Sequence, residues 1–220
     1  AALEELKFAL DTLELDGVAI PTNIGGLYLG NESFRPLLAE LNERRVTTFV
    51  HPTSPCCFEA FNLGLPAPML EFPFETTRAV TDLVLSGRIG EFADIEFILP
   101  HAGGTLPYLA QRIAAIGQLP VVGPKQNAAP ETLKALASLN YDLALSATPA
   151  QYGALRQLVP VTNILYGSDY PFTPAPAVAA ADMAIGNLGL SPDEAQSIRS
   201  GNAARLYSGF ARRCCAAHAH

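Results

Sequence analysis

Residues 97–113 read FILPHAGGTLPYLAQRI, and this stretch decides the fold. The apolar run 97–99 is typical of a buried strand, and the small-residue turn 102–104 leads into a predicted helix over 106–113. Between strand and turn lies His101. Reactive groups in α/β folds lie at the carboxyl ends of parallel strands, so His101 is a candidate functional residue. Taken alone, it fits a hydrogen-bonded core histidine equally well.

Outward from this stretch, strand and helix alternate five times, which predicts parallel strands joined by crossover helices. The predicted strands are Val18–Ile20, Thr47–Val50, Asp94–Pro100, Leu143–Ser146 and Asn163–Gly167. Neither G-x-G-x-x-G nor G-x-x-x-x-G-K follows a strand, so the nucleotide-binding sheets lack their fingerprints and a barrel is favoured. A complete (β/α)₈ barrel has eight strands in roughly 250 residues, so five strands predict an incomplete barrel.

Composition excludes several classes of protein. With 220 residues, 49% apolar and 16% charged, the chain is globular, and we assign residues 1–210 to one domain and 211–220 to a frayed tail. A net charge of -7 without a Lys/Arg run disfavours nucleic-acid binding. No apolar run approaches a membrane span, and the acidic start does not resemble a signal peptide. The cysteines form two adjacent pairs, which favours a reducing cytoplasm over a disulfide scaffold.

Three predicted strands end in a side chain that can bind a metal or move a proton. These are His51, His101 and Asp169. Because parallel strands end at the same rim of a barrel, we expect the three to meet in one pocket. Imidazole nitrogen and carboxylate oxygen together suit Zn²⁺. The alternative for Asp169 is a helix N-cap before Pro171.

The motifs FVHP (49–52), ILPHAGG (98–104) and ILYGSDYPFTP (164–174) resemble the amidohydrolase-related superfamily, in its aminocarboxymuconate-semialdehyde decarboxylase-like branch. The phrase HPTSP (51–55) resembles the fungal 6-methylsalicylate decarboxylases of secondary metabolism. The resemblance implies a metal-dependent (β/α)₈ TIM barrel, of which this chain holds about the last five β/α units. It implies a non-oxidative decarboxylase of a small aromatic hydroxy acid. Some members are hydrolases, so hydrolysis of a lactone or amide remains an alternative.

The resemblance also implies roles for single residues. His51 matches a metal-binding histidine, and His101 matches a histidine that faces the substrate and handles protons. Asp169 matches an aspartate that binds the metal and is a candidate proton donor. Arg112 lies at the spacing of an arginine that reaches the substrate of a neighbouring subunit, which implies a homodimer. The alternative for Arg112 is a solvated helix residue.

Phe58 and Phe61 lie in the Pro- and Cys-rich segment after His51 and are candidates to wall the pocket against an aromatic ring, with ordinary packing as the alternative. One departure from the family stands out, because the His-x-His pair of its first strand has no counterpart before His51. The HAH at 218–220 lies at the wrong end of the chain. A metal, Zn²⁺ or else Mn²⁺, would then have too few ligands, and a truncated inactive fragment is a third interpretation.

Overall fold

The computed structural model describes residues 1–207 and residue 209. The predicted tail 211–220, with His218 and His220, therefore lies outside the described residues. Seven strands are present in the described part: β1 Gly17–Pro21, β2 Asn23–Ile24, β3 Leu27–Tyr28, β4 Thr47–His51, β5 Glu96–Leu99, β6 Asn140–Asp142 and β7 Ile164–Leu165. Five of them form one parallel sheet in the order β1-β4-β5-β6-β7, and β2 and β3 form a small hairpin.

Helices return the chain across the sheet between its strands, and further helices precede β1 and follow β7. The α-helices of the described part are α1 Ala2–Lys7, α2 Arg35–Glu43, α3 Ala67–Leu85, α4 Arg88–Glu91, α5 Leu106–Gly117, α6 Ala129–Ala137, α7 Pro149–Arg156, α8 Ala175–Gly186, α9 Pro192–Gln196 and α10 Asn202–Leu206. Sheet order equals chain order, and every neighbouring pair is parallel. The predicted α/β class is confirmed. None of the helices in the described part of the chain combines the length and the apolar composition of a membrane-spanning segment.

The fourth strand of the sheet lies earlier than predicted. The prediction of Leu143–Ser146 is wrong, because β6 covers Asn140–Asp142, a run of polar residues that is fully buried. Buried polar groups need partners, and here each has one. The Asn140 amide donates to Glu96 Oε2 at 3.0 Å, and the Tyr141 hydroxyl donates to the carbonyl of Leu136 at 2.7 Å. Partners distant in sequence therefore permit a strand that hydropathy does not indicate.

Helix α3 begins at Ala67, inside the Pro-rich part of the chain after His51, and the irregular segment between β4 and α3 ends there. Pro68 lies in the first helical turn, where the missing N–H is not needed. Pro73 lies inside the helix and removes one backbone hydrogen bond. The helix is retained around Pro73 because its Ala79, Val80 and Leu83 are fully buried.

The core lies between the sheet and these helices. Its fully buried members come from every layer and include Leu38, Leu41, Leu83, Leu99, Leu106, Leu136, Leu155, Ile164 and Ile198. Burying each such side chain contributes about 1.5–3 kcal/mol. This core fixes the strand ends, and the polar side chains at their carboxyl ends are left at one rim.

Candidate active site

The carboxyl ends of three strands bring His51, His101 and Asp169 to the same place. His51 is the last residue of β4, His101 follows β5 after one proline, and Asp169 follows β7. All three line a cavity of about 420 Å³ and also an adjoining cavity of about 700 Å³. The rings of His51 and His101 are 6.3 Å apart between centroids, inclined at 69°. A small ligand in these cavities would contact all three side chains.

Aromatic rings surround His51. The Phe72 ring meets it edge-on at 5.9 Å between centroids, and the Phe49 ring stacks on it at 6.2 Å. Phe72 and Phe172 line the larger cavity, while Phe49 lines the smaller one. The cavities therefore combine apolar ring faces with a few polar groups, as small-molecule sites commonly do.

The turn that carries His101 is held in a left-handed backbone conformation. His101 and Ala102 have φ of 56° and 54°, which costs roughly 1–2 kcal/mol for each residue. A Cβ on Gly103 would lie 2.6 Å from the Tyr141 ring, and a Cβ on Gly104 would lie 2.2 Å from the carbonyl oxygen of Pro73. The two glycines let the turn fit between β6 and α3, and this wedge aims His101 into the cavity.

Two threonines fasten the same turn to α3. The Thr77 hydroxyl donates to the carbonyl of Pro73 at 2.8 Å, and the backbone N–H of Thr105 donates to Thr77 Oγ1 at 3.0 Å. The carbonyl of Pro73 thus keeps a partner where it meets Gly104. Pro73, which lies inside α3, is therefore part of the support for His101.

The surroundings of His101 favour the neutral form of its imidazole. Burial lowers the pKa of its imidazole, and the nearby His51 acts in the same direction, while the Asp169 carboxylate acts against both. Within the described residues, Nδ1 of His101 is buried without a hydrogen-bond partner. An unpartnered buried nitrogen is costly, so its presence beside a cavity suits a group that binds a ligand.

Asp169 does not cap a helix. Its backbone has φ of 54°, and its Oδ2 accepts a 3.4 Å hydrogen bond from the Thr173 hydroxyl. Helix α8 begins at Ala175 with Pro174 in the cap position, so the N-cap alternative for Asp169 is wrong. The carboxylate is instead available to the two cavities that it lines.

Asp142, the last residue of β6, was missed by sequence reasoning. It lines the smaller cavity with His51, His101 and Asp169 and is only 6% exposed. Burial raises the pKa of its carboxyl to about 6, although hydrogen bonds from two backbone N–H groups act in the opposite direction. The available signal was an aspartate directly before the apolar run 143–145. Because that run was predicted to be the strand, Asp142 was placed before the strand and not at its carboxyl end.

Arg112, Phe58 and Phe61 lie elsewhere. Arg112 is exposed on α5 and borders a shallow apolar groove between α3 and α5, with none of the residues that line the two cavities. Phe58 and Phe61 do not line either cavity, and Phe61 is 41% exposed. The phenylalanine rings that do line them are Phe49, Phe72 and Phe172, and Tyr166 and Tyr170 also line the smaller cavity.

His51 and Asp169 offer the donor types that a divalent cation accepts, an imidazole nitrogen and a carboxylate oxygen. These two donors are fewer than the four ligands of a usual zinc site. Among residues 1–207 and 209, no three His, Cys, Asp or Glu side chains lie close enough together to hold a metal ion. The described residues can therefore supply part of a metal site but not a complete one.

Comparison with known proteins gives matches along almost the whole chain. The family model described as amidohydrolase matches residues 1–209. The 6-methylsalicylic acid decarboxylase of Aspergillus aculeatus is 42% identical over 183 residues, which are 80% of this chain and 55% of the relative. The chain thus spans little more than half the length of that curated relative.

Solved structures share the fold. A crystal structure of an amidohydrolase II superposes with a TM-score of 0.85 at 29% identity, covering 94% of this chain and 66% of the other. A dihydroxybenzoic acid decarboxylase from Polaromonas sp. JS666, solved with manganese and 2-nitroresorcinol, gives a TM-score of 0.79 at 20% identity, covering 94% and 65%. The parallel sheet described here is thus part of an amidohydrolase-type TIM barrel.

Proposed function

Because the chain belongs to the amidohydrolase family, we propose that it carries the proton-handling part of a metal-dependent, non-oxidative decarboxylase acting on a small aromatic hydroxy acid such as 6-methylsalicylate. The observation that carries the proposal is the shared cavity of His51, His101 and Asp169. The 42% identity to a 6-methylsalicylic acid decarboxylase supports the substrate class.

His51 and Asp169 are the proposed metal ligands in this chain, with Zn²⁺ as the proposed ion and Mn²⁺ as the alternative. The metal, when bound, would act as a Lewis acid on the carboxylate and the neighbouring hydroxyl of the substrate. The further ligands, which the family resemblance puts on a His-x-His pair, are not among the described residues.

The chemistry required of the protein is delivery of one proton. A proton adds to the ring carbon that bears the carboxylate, the bond to the carboxyl carbon then breaks, and its electron pair returns to the ring as CO₂ leaves. Asp169 and His101 are the proposed donors. The low pKa of His101 makes its protonated form a stronger acid but a rarer one at neutral pH. Transfer from His101 would therefore slow as the pH rises through this lowered pKa, which lies below the ordinary histidine value of about 6.5.

Phe72 and Phe172 suit the aromatic ring of such a substrate, since both line the larger cavity beside His51 and Asp169. In this proposal they replace Phe58 and Phe61 as the ring contacts. Substitution of Phe72 by Leu should raise KM for an aromatic acid more than it changes kcat, because the ring contact is present before and during the reaction.

We also propose a homodimer in which Arg112 reaches the substrate of the neighbouring subunit. Arg112 is exposed and lies away from the cavities of its own chain, beside apolar Leu109 and Ile116. Substitution Arg112→Ala should then raise KM in a dimeric protein. A monomer by light scattering, or an unchanged KM, would contradict this role.

The deciding experiment is CO₂ release from 6-methylsalicylate by this chain with added Zn²⁺ or Mn²⁺. We expect release that depends on the metal and disappears in Asp169→Asn. A hydrolysed lactone without any CO₂ would favour the hydrolase alternative. Neither CO₂ release nor binding of 6-methylsalicylate in the presence of metal would overturn the proposal and favour an inactive fragment.

A further inference from the structure

The carboxylate of Asp142 connects the ends of three neighbouring strands. Asp142 ends β6, and its Oδ1 accepts the backbone N–H of His101 at 3.0 Å and that of Ala144 at 2.9 Å. His101 follows β5, so one bond crosses from strand to strand over 41 positions of sequence. The other bond closes the turn that follows β6.

On its other side, Asp142 contacts the segment after β7. A Cβ on Gly167 would lie 2.6 Å from Cγ of Asp142 and 2.7 Å from its Oδ2, so the carboxyl group rests on the bare backbone of this glycine. Asp169 follows two residues later. Movement of the Asp142 side chain would therefore disturb both candidate proton donors.

The bond to His101 falls where the backbone needs support. His101 and Ala102 both adopt the left-handed conformation that L-residues avoid, and Gly103 continues it. A carboxylate oxygen binds an N–H group more strongly than a neutral acceptor does. Asp142 forms no salt bridge within the described residues, so its charge is directed at backbone N–H groups and not at a cation.

We propose that Asp142 is the positioning residue of this site: its carboxylate holds the His101 turn and the Gly167–Asp169 segment so that both donors face one cavity. Asp142 contacts backbone groups and not the reacting atoms. It affects the reaction by fixing the positions of His101 and Asp169. The kinetic consequence rests on the proposed decarboxylase, but the structural consequence does not.

The structural test measures amide hydrogen exchange of His101 in the ¹⁵N-labelled chain, without substrate or metal. Asp142→Leu keeps the size of the side chain but removes the acceptor, and we expect exchange at His101 to accelerate at least about tenfold, since the hydrogen bond to a charged group is lost. Asp142→Asn keeps Oδ1 and should stay within about threefold of the native rate.

Two further variants separate positioning from general loss of stability. Asn140→Ala removes an equally buried polar residue of the same strand, which does not contact His101, and should leave exchange at His101 unchanged relative to other core amides. Gly167→Ala keeps every atom of Asp142 but displaces its carboxyl group, and should accelerate His101 exchange even if Asp142→Leu does not fold. Native exchange at His101 in Asp142→Leu or in Gly167→Ala would overturn the proposal.

The kinetic test uses 6-methylsalicylate with Mn²⁺. We expect Asp142→Leu to lower kcat at least about tenfold with a smaller change in KM, and Asp142→Asn to restore most of it, because positioning serves the transition state. If the native chain releases no CO₂ while the exchange results are as expected, the proposed function fails and the positioning role stands. If the native chain is active and Asp142→Leu has native kcat, the positioning role fails.

Discussion

The two ends of the parallel sheet treat polar side chains in opposite ways. At the amino end, the first residues of β5 and β6 form a closed network. Asn140 donates to Glu96 and to the carbonyl of Phe97, and it accepts from Arg205 Nη2 at 3.1 Å. On β4, the hydroxyl of Thr47 likewise donates to the carbonyl of Leu206 at 3.0 Å.

At the carboxyl end, the pairing of polar groups is incomplete. Within the described residues, Nδ1 of His101 has no hydrogen bond, and the buried carboxylate of Asp142 accepts two backbone N–H groups but forms no salt bridge. Left-handed backbone recurs at His101, Leu145 and Asp169, one after each of three neighbouring strands. The polar groups at the amino end therefore stabilise the fold. At the carboxyl end, strained backbone and unpaired polar groups lower stability, but they keep reactive side chains accessible from a cavity.

The largest effect should come from Asp169→Asn at the carboxyl end. We expect CO₂ release from 6-methylsalicylate to fall about 10²-fold or more, because loss of a positioned proton donor typically costs that much. Asn140→Ala at the amino end is the matched control and should keep kcat within a few fold. An Asp169→Asn protein with native kcat would remove the functional contrast between the two ends.

Next in size is the effect of Gly104→Ala on stability. The added Cβ would meet the Pro73 carbonyl at 2.2 Å, in a residue with φ of 64°. We expect the free energy of unfolding to fall by about 2–4 kcal/mol, from overpacking and backbone strain together. Gly153→Ala, in α7 with open space around it, should instead raise the free energy by about 0.5–1 kcal/mol. Urea denaturation measures both, and equal effects would show that the wedge at Gly104 is not tight.

The stability of Asp142→Asn relative to the native protein should increase from acidic to alkaline pH. The folded state raises the carboxyl pKa from 3.8 to about 6, so it holds this proton more tightly than the unfolded chain does. This contribution to stability is lost as pH rises from 3.8 to 6, which amounts to about 3 kcal/mol at most. The variant lacks this titration. The free energy of unfolding of the variant minus that of the native protein should therefore be about 1–3 kcal/mol more favourable at pH 8 than at pH 4.

Comparing native protein and variant at each pH cancels the titration of His101. Its lowered pKa acts in the other direction, because stability is lost as pH falls below 6.5. Asp193→Asn, at an exposed position of α9, is the control and should change the free energy of unfolding by less than about 0.5 kcal/mol at either pH. A pH-independent difference between Asp142→Asn and native protein would contradict the raised pKa.

The smallest effect should come from Arg205→Ala at the amino end. Its side chain is 49% exposed, and its contact with Glu96 is long at 3.8 Å. We expect a loss of less than about 1 kcal/mol in the free energy of unfolding, with unchanged CO₂ release. Thermal denaturation checks the first part. A loss of activity would mean that the amino end also supports the chemistry.

Local sequence patterns predicted the end of a strand or helix correctly where residues adjacent in sequence determine that end. The run Ser-Pro-Asp-Glu at 191–194 is a capping-box sequence, and the structure has both of its reciprocal hydrogen bonds. Strand β4 ends at His51 as the Thr-Thr-Phe-Val run indicates, and β5 ends before His101. Such features depend on contacts within a few residues, which a sequence displays directly.

Local patterns were a poor guide at β6 and around the cavity walls. The polar sequence Asn140–Asp142 is typical of a loop. It forms a buried strand because Glu96, the Leu136 carbonyl and the His101 N–H supply its hydrogen-bond partners. Phe58 and Phe61 are close to His51 in sequence, yet Phe72 and Phe172 line the cavity. Hydropathy reports the average environment of a residue, not which distant group will satisfy it.

The sequence by itself determined the alternation of strands and helices, the family motifs, and the placing of His51, His101 and Asp169 at strand ends, because periodicity and turn chemistry act over short range. Only the tertiary structure decided that Asp142 joins those residues and that Arg112 faces away from them. It also decided that the two glycines after His101 are wedged between Tyr141 and Pro73. These outcomes depend on contacts between segments far apart in the chain, and such contacts exist only once the sheet has formed.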